Sequence, residues 1–403
     1  MMNTIKAPRI LLPKSGVDMT RFSVIACDQF TSQIEYWNDL KSMIGSNPST
    51  FHMVFPEAYL HAVDNTAYIK SINQTIDAYL QDNILEDLGE CFILVERSTP
   101  YTKRRLGLML SVDLDAYTYE KGLRTPIRAT EATILERIPP RLRIRENAPV
   151  ELPHTLILFD DPGKTIIEDL YARRESFPKV YDFELNQNGG HLKGYLIKDT
   201  DTVIRKFYSL LKKDGDLLFV VGDGNHSLAT AKAHWEKLKA TLPQEQLLDH
   251  PARYSLVEAI NLYDEGLTFE AIHRVVFNAE DDFIPGLRSL LKGKHEGMIY
   301  TRRTGKINQM MPENAPMAYK IVQDYIDQYL AKHPQTTVDY IHGTDHLIEV
   351  ADKYKLSIAI EMPALTKGDL FDYIAKDDVL PRKSFSMGHA QEKRYYLECK
   401  RIR

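Results

Sequence analysis

Apolar runs and apolar stripes alternate along this chain. The sharpest change of period lies in Leu217-Leu218-Phe219-Val220-Val221-Gly222-Asp223-Gly224-Asn225-His226-Ser227, where consecutive apolar residues predict a buried strand. Beyond the Gly-Asp-Gly turn, Leu228, Ala231, Trp235 and Leu238 recur at helical spacing, so strand, turn and helix follow one another directly. Further extended segments are predicted at Ile5 to Leu12, Phe22 to Cys27, Phe51 to Phe55, Cys91 to Val95 and Leu106 to Leu114. Others fall at Leu156 to Phe159, Tyr254 to Leu262, Arg274 to Phe277, Leu356 to Ile360 and Tyr395 to Ile402. Helical stripes cover Ile69 to Leu80, Val203 to Leu211 and Ile321 to Leu330. Ser32-Gln33-Ile34-Glu35 has the form of a capping box opening a helix whose face is Ile34, Trp37, Leu40 and Met43. Asn188-Gly189-Gly190 marks a hairpin. The expected fold class is α/β or α+β: mixed sheets with flanking helices and a site at the strand–glycine turn–helix junction. The proline-rich passage Pro139 to Pro153 is the expected boundary between an N-terminal α/β domain, 1–150, and a C-terminal one, 151–403.

Composition narrows the class. A chain of 403 residues exceeds one simple core and suggests at least two domains. A net charge of −5 gives no overall attraction to nucleic acid or to an anionic membrane. The N-terminal residues lack the apolar core of a signal peptide, and no apolar run reaches membrane-spanning length. Cys27, Cys91 and Cys399 are odd in number and far apart, which indicates neither a disulfide framework nor a cysteine zinc site. A cytoplasmic, bacterial-style protein is the expectation.

The candidate chemistry gathers at the change of period. A helix that starts at Asn225 presents free backbone N–H groups and the positive end of its dipole, an arrangement that favours anions. Gly224 permits close backbone approach, and Asp223 and His226 supply an acid–base pair beside it. The plainer alternative makes Asp223 a helix cap and His226 a surface residue. Asp28-Gln29 forms a second polar corner between strand and helix, with Asp28 as a further carboxylate. Arginine replaces lysine between Arg124 and Arg145, and its planar fork suits phosphate and carboxylate. Alternation in Arg141-Leu142-Arg143-Ile144-Arg145 predicts a strand with the three guanidinium groups on one face; a charged edge strand is the alternative. No aromatic platform is interleaved with them, which argues against nucleic acid. Asp160 to Thr165 resembles a P-loop only superficially, because Leu158 stands where its first glycine belongs; a turn opening a helix explains it better. His342 and His346 flank a strand-to-helix change and so predict no metal site, although His342 can line a pocket. His273-Arg274 and Arg382-Lys383 add anion-binding groups.

The Asp-Gly-Asn-His segment resembles the Asp-Gly-His-His-Arg segment of the bacterial family catalogued as domain of unknown function 1015. Ala26-Cys27-Asp28-Gln29-Phe30, Arg128-Ala129-Thr130-Glu131, Ile138-Pro139-Pro140-Arg141, Glu151-Leu152-Pro153-His154, Ile272-His273-Arg274-Val275 and Leu380-Pro381-Arg382-Lys383-Ser384 resemble it too. The resemblance spans nearly the whole chain and implies a role near phosphoserine, because members are often encoded beside serine-biosynthesis enzymes. A local similarity to the ParB and sulfiredoxin superfamily implies nucleotide or phosphate binding. The chain departs from the pattern at Ser227, where arginine is common, and at Asn225, which replaces a histidine. Another group must then grip phosphate, with Arg274 or the Arg141 segment as candidates. The expected function is a phosphotransferase or phosphatase acting on a small metabolite, with magnesium and ATP or ADP as the cofactors such a reaction uses. Asp223, His226 and Asp28 would be catalytic. Gly224, Asn225, Arg141, Arg143, His273, Arg274, His342, Arg382 and Lys383 would bind substrate. A non-catalytic protein that senses a nucleotide or phosphometabolite fits the same residues and differs in turning nothing over.

Overall fold

The strand Arg105–Asp113 is buried at all nine positions, as expected of a segment covered on both faces of a sheet. Around it the computed structural model, which describes residues 4–60, 63–211, 216–376 and 379–403, builds a ten-stranded mixed sheet. Met1 to Asn3, part of the N-terminal stretch considered above, lie outside the described residues. The sheet order is Lys179–Leu185, Gly190–Ile197, Phe92–Ser98, Arg105–Asp113, Tyr254–Asn261, Leu156–Phe159, Phe219–Asp223, Ile127–Ala129, Tyr117–Thr118. Ile5–Lys6 pairs with Arg105–Asp113 as the tenth strand. Leu156–Phe159 runs parallel to Tyr254–Asn261 and antiparallel to Phe219–Asp223, which itself runs parallel to Ile127–Ala129. The expected mixed α/β class is what the structure shows.

The chain divides into two compact units. One comprises Met1–Ala129, Thr133–Leu267 and His389–Arg403; the other, Thr130–Ala132 and Thr268–Gly388. The passage 139–153, expected to be a boundary, falls inside the first unit. The second unit is built on an antiparallel sheet ordered Gly305–Met311, His295–Thr301, Ser357–Ile360, Phe269–Phe277, Thr337–His342, with Phe385–Met387 also pairing with Phe269–Phe277. No helix among the described residues is long and apolar enough to cross a membrane.

Local physics accounts for the departures from expectation. Arg141 to Arg145 belong to a helix, Ile138–Arg145, rather than a strand. Pro139 and Pro140 occupy its first turn, where a missing N–H costs nothing and a fixed φ suits the helix. Arg141 and Arg145, four apart, then share a face, and Arg143 is exposed. Thr50–Met53 is a 3-10 turn rather than a strand, started by Ser49, whose Oγ accepts the Phe51 N–H at 3.2 Å. The helix Ile34–Ile44 begins at Gln33 with no side-chain capping bond and buries Trp37, Leu40 and Ile44. The segment 395–402 is two short strands, Tyr395–Tyr396 pairing with Val24–Ile25 and Lys400–Arg401 pairing with Val150–Glu151. Asp161 accepts the N–H groups of Thr165 at 2.7 Å and Ile166 at 3.1 Å, so its loop is the expected turn into a helix, Ile167–Ala172.

A charged network lies inside the first unit. Arg394 donates to Glu258, Glu398 and the Pro153 carbonyl, and the side chains of all three charged residues are 4% exposed or less. The Tyr181 hydroxyl donates to the other oxygen of Glu398. Gly107 makes room for this network, because a Cβ there would lie 2.2 Å from Glu258 Oε1.

His234, on the helix Asn225–Lys239, is buried with Nδ1 unpartnered. Burial, with Arg145 nearby, pulls its pKa down to about 4. The unfolded chain therefore binds a proton below the ordinary histidine value that the folded chain refuses until far lower pH. Stability falls as pH drops from about 6.5 to 4, by of order 2 kcal/mol. His234→Leu should flatten that slope in urea titrations across this range, and an unchanged slope would assign it to other groups.

Candidate functional site

Strand Phe219–Asp223 hands directly to helix Asn225–Lys239 through Gly224, whose φ is +81°. Only glycine fits this corner. A Cβ at 224 would lie 2.9 Å from Thr155 Cα, and the left-handed conformation disfavours any side chain. Gly224→Ala should cost about 1–3 kcal/mol by thermal unfolding. A cost near zero would mean that the corner is not tightly held.

Asp223 does not cap the helix. Its Oδ1 accepts the N–H of Gly224 at 2.9 Å, and the N-cap position, Gly224 itself, carries no side-chain cap. The other oxygen pairs with Lys393 Nζ at 3.0 Å. His226 Nε2 accepts the Ile134 N–H at 3.2 Å, which places the ring proton of the neutral form on Nδ1.

Lys393 is held by a clamp remote in sequence. Arg97, 3% exposed, donates to the carbonyls of Gly189, Gln391, Glu392 and Lys393, and Arg105 donates to that of Glu392. The Glu392 carboxylate accepts from Thr99 at 2.8 Å, Thr102 at 2.9 Å and the His389 N–H at 3.0 Å. Burial, reinforced by Arg105, pulls the Arg97 pKa down to about 9. The backbone on either side of Lys393 is thus fixed from below.

Asp28 sits in the turn after Val24–Ile25. Its Oδ1 accepts from Gln29 Nε2 at 3.0 Å, and Oδ2 lies 3.8 Å from His154 Nε2. Burial alone would raise this carboxyl; His154, Gln29, Lys393 and Arg141 together hold it below the ordinary value. Lys393 therefore acts on both Asp28 and Asp223. His154 Nδ1 and the Tyr396 hydroxyl share a hydrogen bond at 2.8 Å, and that hydroxyl also meets Cys27 Sγ at 3.1 Å. Burial, with Asp28 adding to it, pushes the Cys27 thiol up to about 12, so it is no ready nucleophile.

Beside these groups lies a cavity of about 170 Å³ lined by Cys27, Glu57, Arg141, His154, Ser227 and Tyr396, among others. Arg141 pairs with Glu57 across it. Burial raises the Glu57 carboxyl despite Arg141. Arg145, also at the cavity, pairs with Glu151, which receives Lys400 Nζ at 3.4 Å as well.

The structure thus gathers Asp28, Arg141, Asp223, Gly224, Asn225 and His226 in the first unit, with Arg143 exposed there. It adds Glu57, His154, Lys393 and Tyr396, which reading by residue type missed. His154 lay within one of the family-like segments, and Lys393 within the charged run Glu392-Lys393-Arg394 before two tyrosines. His273, Arg274, His342, Arg382 and Lys383 belong to the second unit. There Arg274 is fully buried, donates to Gln323 and to the carbonyls of Ile272 and Arg382, and lies over the rings of Tyr319 and Tyr340. His273 Nδ1 accepts the Met362 N–H at 3.1 Å. Arg382 pairs with Asp327 at 3.0 Å, Lys383 is left-handed at φ +57°, and His342 is exposed at a strand end.

A family model described as "Protein of unknown function (DUF1015)" matches residues 11–400. No curated protein matches the chain. Similar solved structures include a conserved hypothetical protein from Pyrococcus furiosus, 11% identical with a TM-score of 0.37, covering 72% of this chain and 90% of that one. A free serine kinase in complex with AMP is 9% identical with a TM-score of 0.41, covering 73% and 92%. SbnI with a C-terminal truncation from Staphylococcus aureus is 9% identical with a TM-score of 0.39, covering 70% and 82%. At these scores the likeness carries no argument about activity.

Proposed function

The chain belongs to the DUF1015 family, and from that premise we propose that it is an enzyme transferring or hydrolysing phosphate on a small metabolite at the Asp28–Lys393–Asp223 cluster. The observation that supports this most is Lys393, which pairs with Asp223 at 3.0 Å next to the uncapped helix start at Gly224 and also helps to hold Asp28 ionised. Phosphoryl transfer needs positive charge and positioning more than covalent chemistry. Lys393, Arg141 and the positive end of the helix dipole at Asn225 supply both. Asp223 serves as general base toward an attacking hydroxyl or water, released from Lys393 as that cation turns to phosphate. His226 donates to a phosphate oxygen through Nδ1–H, its Nε2 being held by Ile134. Asp28, kept ionised by His154, suits a magnesium ion, which takes one or two protein carboxylates together with substrate phosphates. Such an ion would neutralise charge on the transferring group.

Serine and phosphoserine are the metabolites to test first, since the resemblance implies that neighbourhood. Purified protein should be incubated with magnesium and serine plus ATP or ADP, and separately with phosphoserine, and followed by phosphorus NMR. Formation of phosphoserine or free phosphate is the expected result. Binding by calorimetry without turnover would favour a sensor of the phosphometabolite, and neither binding nor turnover would end the phosphate reading.

A further inference from the structure

A second cavity in the first unit, about 350 Å³, shares no lining residue with the first. Its walls include Lys6, Arg9, Glu90, Ser111, Tyr254 and Arg401. That volume suits a metabolite rather than a macromolecule.

Register and the cavity wall bring the charges together. Arg9 faces Glu90 across one strand pair, and the isolated bridge Leu11 to Cys399 brings the segment that carries Arg401 along the other flank. Residues directly opposite share a face of a sheet, so Glu90 and Arg9 lie on one face, and Arg401 lines the same cavity. Most ionic groups at the cavity already have partners: Arg9 pairs with Asp87 at 2.9 Å, Lys6 with Asp249 at 3.3 Å, and Lys400 with Glu151. Among the described residues, the side chains of Glu90 and Arg401 make no hydrogen bond or ion pair. Ser111 contributes a third open group. It is 1% exposed, and its Oγ has no partner. A buried hydroxyl without a partner carries a desolvation penalty that a ligand can relieve.

The open groups are therefore one base, one acid and one hydroxyl. We infer that this cavity binds an amino-acid-like zwitterion, with its carboxylate on Arg401, its ammonium on Glu90 and a polar group reaching Ser111. Arginine suits the carboxylate because its fork can donate two parallel hydrogen bonds. The flank of the Tyr254 ring and Pro8 and Pro251 supply apolar contact. This inference is independent of the phosphate reading of the Lys393–Asp223 site.

Calorimetry on the full chain with L-serine, L-glutamate and L-arginine, and with acetate and ethylamine as single-charge controls, tests it. At least one amino acid should bind with a dissociation constant below about 1 mM, and neither control should. Arg401→Glu and Glu90→Lys should each weaken that binding by about tenfold or more, with the melting temperature unmoved because both positions are exposed. Ser111→Val should weaken it without loss of stability, since the hydroxyl has no partner to lose. No binding up to about 10 mM, or binding equalled by a control, overturns the inference. So does binding that Arg401→Glu leaves intact; its loss in Lys393→Met would assign the amino acid to the Lys393–Asp223 site.

Discussion

Lys393→Met should lower turnover by about 100-fold or more and weaken binding of the phosphorylated ligand in parallel, while the protein stays folded. The side chain is 12% exposed and pairs with Asp223, so its removal leaves that carboxylate without its cation as well as deleting a contact. Asp223, left without its cation, would then repel an incoming phosphate. The stability cost should be small, about 1 kcal/mol, because Asp223 keeps partial access to water. Kinetics and thermal unfolding on the same preparation separate the two effects. Asp223→Asn should also abolish turnover, but for a different reason: the amide keeps the volume and loses the charge that accepts a proton. Adding Asp223→Asn to Lys393→Met should cost little more, since each single change already breaks the pair. Full turnover in Lys393→Met would remove the cluster from the mechanism.

The largest loss of stability should come from Arg394→Leu, about 3–5 kcal/mol. Glu258 and Glu398 would remain in the interior with no cation between them. Urea unfolding of the variant beside the parent protein reads the loss directly. Replacing Glu258 and Glu398 by leucine in the same protein should recover much of the loss, because an apolar trio avoids the desolvation cost. A loss below about 1 kcal/mol in Arg394→Leu would show that water reaches the network.

The residues that were legible in sequence share one property: their structure is decided locally. The strand–Gly224–helix corner is announced by a change of apolar period within a few residues, and the hairpin at Gly189 by its turn chemistry. Arg141 to Arg145 misled because an eight-residue helix is too short for its period to stand against a polar–apolar alternation. The two prolines before it were the better signal, since they open helices as readily as they end them. Lys393 was invisible for another reason. Its partner Asp223 and its anchors Arg97 and Arg105 lie far away in sequence, so no spacing rule reports them. The same holds for His154 beside Asp28. The division into units was hidden because no linker composition marks residues near 267 or 389.

The interruption of the first unit has a kinetic consequence. Tyr395 must find Ile25, about 370 residues earlier, for the segment that carries Lys393 to complete its strand pairing. Closing so long a loop costs entropy that nearby contacts do not repay early, and contacts of this kind are slow to form. On dilution from denaturant, hairpins such as Lys179–Leu185 with Gly190–Ile197 should regain their hydrogen bonds long before the last segment docks. A refolding protein would then pass through a state with most of its sheet and none of its Lys393 chemistry. The strands that finally receive Tyr395–Tyr396 and Lys400–Arg401 would meanwhile present open edges, and aggregation during renaturation should start there.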